Sequence, residues 1–380
     1  MTDGWRSENL GELCDVLDHR RKPITKRDRV AGEYPYYGAT GILGFVEGFL
    51  FDEKLVLVGE DGAKWGSGEN TAFAAQGKIW VNNHAHVLRP HRDQILDNWL
   101  IYFLNHSDLS EYVSGLTVPK LNQGNLRQIS IPLAPLSDQK RIVGILDEAF
   151  EGIAKAKANA EKNLQNARAL FESHLEAAFS NGTQGSAVPI AEVAEVFDGP
   201  HATPKTVDAG PVFLGISALQ DGLVNLEETR HVTQHDFKKW TRRVMPQPND
   251  VVFSYETRLG QAAIIPKGLE CCLGRRMGLV RLDRKRMNPR FFVYQYVSPP
   301  FRRFLDSKTV RGATVDRISI KEFPGFPVFA PPLADQERMA DKFESLREQT
   351  QRLEGIYQHK LTALEELKKS LLHQAFSGAL

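Results

Sequence analysis

The sequence predicts an α+β protein. Two similar heads of mixed α/β structure are separated by two long helices, which form an intramolecular antiparallel coiled coil in a pseudo-twofold internal duplication. Three observations carry this. The phrase LTVPKLNQGNLRQISIPLAPLSDQKRI at 116–142 returns at 313–339 as ATVDRISIKEFPGFPVFAPPLADQERM, with Asp138-Gln139 and Asp335-Gln336 standing 197 residues apart. Thr117/Thr314, Pro135/Pro332, Arg141/Arg338 and the Ala-Phe-Ser of 178–180 and 375–377 keep that spacing, which marks a copied unit. Residues 137–179 and 334–376 contain no proline and are dominated by Ala, Leu, Glu, Lys and Gln, the strong helix formers. The remainder alternates short β-rich runs with Gly/Pro/Asn turns.

The elements follow in order. The first head, 1–135, contains the strand patterns KLVLVGE (54–60) and KIWVN (78–82) and a helical pattern near 97–114. The first long helix, 136–180, opens after Pro-Leu with Ser137 as its N-cap and stops at Ser-Asn-Gly. A linker, 181–189, leads to the second head, 190–332, with the strand DVVFSYE (250–256) and a helical pattern near 289–307. The second long helix fills 333–380. A fainter echo opens each half, LGELCDVLD at 10–18 and IAEVAEVFD at 190–198.

Stepping by four and three along the second long helix gives Met339, Phe343, Leu346, Thr350, Leu353, Tyr357, Lys360, Leu364, Leu367 and Leu371, a heptad seam. The same frame in the first gives Ile142, Leu146, Ala149, Ile153, Ala156, Ala160, Asn163, Ala167, Leu170 and His174. One seam is bulky and the other rich in alanine. Large against small is how facing layers interdigitate, so the two helices are expected to pack on each other.

Composition bounds the function. The chain has 380 residues, 42% hydrophobic and 25% charged, which suits two or three globular domains and excludes wholesale disorder. Three cysteines, two of them adjacent (Cys271, Cys272), form no disulfide framework and no metal-ligand spacing, as expected of a cytoplasmic protein. No apolar run approaches a membrane span, and the opening residues do not read as a signal peptide. The net charge of +1 gives no global sign of a polyanionic partner. Divided between the heads it does. The first head has 14 Lys+Arg against 17 Asp+Glu, and residues 190–325 have 21 against 15.

Two diverged heads, each followed by Pro-Leu-x-Asp-Gln-x-Arg and a long helix ending in Ala-Phe-Ser, resemble the specificity subunits of type I restriction–modification systems. The carrying phrases are PLSDQKRI (135–142), PPLADQERM (331–339) and SLLHQAFSGAL (370–380). YPYYGATGI (34–42), LVLVGEDGA (55–63), WVNNHAHVL (80–88), VVFSYETRLG (251–260) and GRRMGLVRL (274–282) resemble that family's target-recognition domains. The resemblance covers essentially the whole chain. It implies that each head reads one half of a bipartite double-stranded DNA sequence. The helix pair would set the unread spacer, spanning ~60 Å at ~1.5 Å per residue, and would dock two modification (methyltransferase) subunits. Restriction subunits, the translocases and nucleases, would join that core. S-adenosylmethionine and the adenine-N6 chemistry would belong to the methyltransferase partner, and this chain would hold no cofactor or metal and catalyse nothing.

DNA-reading candidates are then cationic and amide side chains, which neutralise phosphates or pair with base edges. In the first head these are Arg20, Arg21, Lys22, Lys26 and Arg27 in the basic run, Lys64 on a glycine-rich turn, and Asn82, Asn83 and His84. His84 and His86 would share one face of a strand and invite a zinc reading, but no third ligand of suitable spacing is evident. In the second head the candidates are Tyr255, Arg258, Arg275, Arg276, Arg302, Arg303 and Arg311. The motif Gly-x-Thr-Val-x-(Lys/Arg)-(Leu/Ile) adds Thr117 and Lys120, and Thr314 and Arg317. It is either a shared phosphate contact or the loop that seats each head on its helix.

Two other functions compete. Ser298-Pro-Pro-Phe301 resembles an amino-methyltransferase motif, which would make the chain the DNA adenine methyltransferase itself. No glycine-rich nucleotide loop after a strand accompanies it. A coiled-coil scaffold that binds no DNA would explain the helices and leave the heads without a task.

Overall fold

Residues 4–115, 117–180, 187–312 and 315–380 are described by a computed structural model. The apolar run Leu55–Gly59 is buried throughout, as expected of a strand covered on both faces. It lies inside an antiparallel four-stranded sheet ordered Cys14–Val16, Ala85–Pro90, Leu55–Gly59, Ala72–Ala75. The second head repeats that order with Ala194–Asp198, Met277–Leu282, Val251–Ser254 and Ala262–Ile264.

A second sheet is also copied. In the first head Tyr34–Gly38 runs parallel to Lys78–Val81, and in the second Val207–Leu214 runs parallel to Cys271–Leu273. Each head is closed by a short antiparallel pair, Arg6–Asn9 with Ser130–Leu133 and Ala187–Pro189 with Pro327–Phe329.

The long helices run over Leu136–Ser180 and Leu333–Ser377, 45 residues each. Ser137 falls inside the first turn rather than capping it. The carbonyl of Pro135 accepts from the amides of Asp138 and Gln139, and that of Pro332 from Asp335 and Gln336. The repeated Asp-Gln phrase has a structural task. Gln139 is fully buried; its Oε1 accepts from Leu96 N at 2.9 Å, and its Nε2 donates to the carbonyls of Gln94 and Ala134. Gln336 does the same with Asn288 N and the carbonyls of Arg286 and Pro331.

The chain divides into two compact units, Met1–Glu161 with His359–Leu380, and Lys162–Gln358. Each unit therefore holds one head and part of both long helices. In the first unit the helices run antiparallel, Lys157 pairing with Glu365 at 2.6 Å and Arg141 donating to the Leu380 carbonyl. Its core joins Ile142, Val143 and Leu146 to Leu372 and Ala375, and Phe376 packs edge-on against Trp99 at 5.0 Å. In the second unit Arg168 pairs with Glu354, and Leu175 and Phe179 meet Ala340, Phe343 and Phe291.

The heptad frame needs correction. Leu146, Ile153, Ala160, Ala167 and Phe343 are buried, and Leu346, Tyr357 and Leu364 half-buried. Leu170, Leu353 and Leu367, however, are 46%, 38% and 48% exposed. Glu354, Leu361 and Lys368 are half-buried in the places expected for Leu353, Lys360 and Leu367. A helix of 3.6 residues per turn drifts by ~20° per heptad against a strict 3.5 repeat, and the stripe has slipped by one residue at alternate layers.

Candidate nucleic-acid interface

One corner of the first head collects charge. Asp18, at the end of its strand, accepts from His86 at 2.6 Å and from the Val87 amide, and pairs with Arg21 at 3.3 Å. Arg21 also bonds Glu60, which pairs with Lys120 at 2.7 Å, and Asp61 bonds His84. Burial alone would raise the Asp18 carboxyl, but His86, the Val87 N–H and Arg21 outweigh it and hold the group below its ordinary range. Glu60 is likewise held low, as Lys120 and Arg21 overcome its burial. Asp18, Glu60 and His86 lie close enough to suggest a metal site, yet a guanidinium and an ammonium already neutralise both carboxylates.

The second head rebuilds this corner. Sheet register pairs Gly59 with Ala85 and Ser254 with Met277, which makes Asp198 the counterpart of Asp18, Glu256 of Asp61, Arg276 of His84 and Arg317 of Lys120. Asp198 accepts from the Tyr255 hydroxyl at 2.9 Å and meets His201 at 2.9 Å, three residues on, as Asp18 meets Arg21. Arg276 pairs with Glu256 at 2.9 Å with a φ of 65, an uncommon backbone state for a residue with a side chain. Antiparallel bridges tie Asp61 to Lys120 and Glu256 to Arg317, so both corners hold the cationic residue of the repeated motif.

The candidates separate accordingly. Arg21 is spent on Glu60 and Asp18, and Asn82 is 2% exposed, its side chain accepting from His84 N. Tyr255 is 4% exposed, and burial and then Asp198 push its hydroxyl up. Arg302 pairs with Glu172 and Asp221, and Arg303 grips Glu176 through two bonds of 2.8 and 2.7 Å. Arg303 and then Ser180 lower the Glu176 carboxyl to about 2. These five residues are engaged within their own head and helix, and of them Asn82 and Tyr255 are buried.

Arg20, Lys22, Lys26, Arg27, Lys64, Asn83, His84 and Thr117 remain exposed in the first head, and Arg258, Arg275, Arg311 and Arg317 in the second; Lys120 and Arg276 are half-buried. Thr314 lies outside the described residues, as do 181–186 of the linker. His84 sits in the turn before Ala85–Pro90 while His86 points into the corner, so the two do not form a ligand pair. Reasoning from sequence missed Asp18, Glu60 and Asp198. The echo of 10–18 in 190–198 already aligned Asp18 with Asp198, 180 residues apart, but gave neither a task; Glu256 stands 195 after Asp61 and falls outside both spacings.

Ser298 is fully buried and caps the helix Pro299–Ser307 by accepting from Phe301 N. Its Pro-Pro occupies the first helical turn, where proline fits, and a capping serine explains the motif without catalysis.

A duplicated head with a buried charged corner, each copy joined to a long helix, defines a two-headed protein built from one repeated unit. The family described as type I restriction modification DNA specificity domain matches residues 2–163. A putative type I restriction enzyme specificity subunit of Haemophilus influenzae is 25% identical over 347 residues, covering 89% of this chain and 87% of that one. The MjaVIII specificity subunit of Methanocaldococcus jannaschii is 21% identical over 407 residues, covering 100% and 93%. In fold, the chain is similar to a structure from work on complex assembly and conformational transition of the type I R-M system, at TM-score 0.75, 18% identity and coverage of 100% and 99%. The HsdS subunit of Thermoanaerobacter tengcongensis follows at TM-score 0.57, 18% identity and coverage of 100% and 98%. Over nearly its whole length the chain is thus similar to type I restriction–modification specificity subunits, and the family model itself matches its first head and part of the first long helix. These matches favour neither the methyltransferase nor the scaffold reading. No helix among the described residues is long and apolar enough to cross a membrane.

Proposed function

We propose that the heads at 1–135 and 190–332 each read one half of a bipartite double-stranded DNA target. The helices at 136–180 and 333–380 set the unread spacer and dock two modification subunits, with the linker at 181–189 joining the halves. Restriction subunits join this core in the cytoplasm. S-adenosylmethionine and adenine methylation belong to the modification subunits. Arg20, Lys22, Lys26, Arg27, Lys64, Asn83, His84, Thr117, Lys120, Arg258, Arg275, Arg276, Arg311, Thr314 and Arg317 are the proposed DNA contacts.

The duplication carries this reading. Both heads repeat one strand order while their exposed side chains differ, as expected of two modules with a common scaffold and separate targets. The test is to replace residues 1–135 with the first head of another member and map methylated adenines across the genome. One half-site should change and the other persist. A change in the second half-site would sink the two-head division.

A further inference from the structure

If the two heads read different half-sites, an element owned by one head is where its own specificity can reside. This argument rests on the division of labour proposed above. Between the strand of the parallel pair and the central strand of the other sheet, the first head runs from Gly38 to Leu55 with no helix. The second head runs from Leu214 to Val251 and holds the helix Gln234–Trp240.

Thr233 caps that helix, accepting from Asp236 N at 3.1 Å. Its one buried residue, Phe237, anchors it in a small cluster with Phe213, Val232 and Cys272. Everything else that is cationic points to solvent: His235, Lys238, Lys239, Arg242 and Arg243 are all exposed. Among the described residues Lys238, Lys239 and Arg242 have no ion-pair partner, whereas Arg281, Arg302 and Arg303 of the same head are committed to carboxylates.

A cavity of about 520 Å³ opens beside this segment, lined by Gly199, Pro200, Lys239, Trp240, Arg242 and Leu273 among others. The Trp240 indole N–H is buried without an acceptor. The carboxylate in the lining, Asp198, is already engaged by Tyr255, His201 and Arg243, so it does not repel an anion. Cations around an apolar, aromatic recess with a spare donor suit a nucleic-acid strand, which offers phosphates beside flat bases.

We propose that Gln234–Val244 and this recess form the second head's contact with duplex DNA. Lys238, Lys239 and Arg242 neutralise phosphates, and the Trp240 ring turns on binding to bring its buried, unpartnered indole N–H to an acceptor of the same strand. The test uses the full chain in complex with its modification subunits and a duplex carrying the methylated motif, with affinity measured across salt. The combined K238A/K239A/R242A variant should lower the salt slope by about 3, since each phosphate contact contributes about 0.9. Trp240→Phe should keep that slope and lose about tenfold in affinity, as one hydrogen bond is removed. Lys267→Ala with Lys321→Ala, exposed lysines elsewhere in this head, should leave both unchanged. A triple variant with wild-type slope and affinity overturns the proposal, and so does an equal fall in the Lys267/Lys321 control. A wild-type complex without salt-sensitive, sequence-specific binding overturns instead the DNA-reading role on which it stands.

Discussion

Gln139 and Gln336 replace three main-chain partnerships that the turn before each head helix cannot make for itself. Gln336→Leu keeps the volume but leaves Asn288 N–H and the carbonyls of Arg286 and Pro331 buried without partners. Unsatisfied groups of this kind cost about 1–3 kcal/mol each, with partial relaxation, so a loss of about 3 kcal/mol is expected in denaturant unfolding. A loss under about 1 kcal/mol would show that the turn does not depend on it. The phrase was legible in the sequence as a repeat, but its task was not. Two side-chain amides bonding main chain some 45 residues away leave no local pattern. The same limit hid Tyr255, which reads as an exposed aromatic beside a cationic run until Asp198 is placed under its hydroxyl.

The long helices were legible in full extent because helix propensity and the absence of proline act locally. Their buried stripe was only half legible. The heptad frame presumes a supercoil that a straight helix does not make, so Leu170, Leu353 and Leu367 turn outward while Ala160 and Ala167 sit buried. Opposite outcomes follow for two substitutions. Ala160→Leu inserts three heavy atoms at a position 1% exposed and should cost about 1–3 kcal/mol by overpacking. Leu367→Lys should shift stability by less than about 0.5 kcal/mol. Both registers bury Ala160, so Leu367→Lys decides between them in thermal unfolding: a loss above about 1 kcal/mol would restore the original frame.

Across the whole molecule the sequence reveals a duplication but not how its parts are shared out. Repeated phrases suggest head-then-helix units, whereas each compact unit takes part of both helices. That exchange is set by contacts over more than two hundred residues, such as Phe376 on Trp99 and Leu372 in the first head's core, which no window of sequence contains. Removing residues 371–380 should therefore loosen the head farthest from them in the chain. Amide hydrogen exchange should rise in Asp97–His106 and stay slow in Pro289–Val297. Equal protection of both helices after the truncation would contradict these contacts.

The same exchange orders the protein's birth on the ribosome. The first head supplies Trp5 to one side of Trp99, yet Phe376, which packs on the same ring, is made far downstream, after the second head. The second head needs Phe179, made before it, and Phe343, made soon after. The earlier of the two heads thus completes its core only with side chains made after the later head.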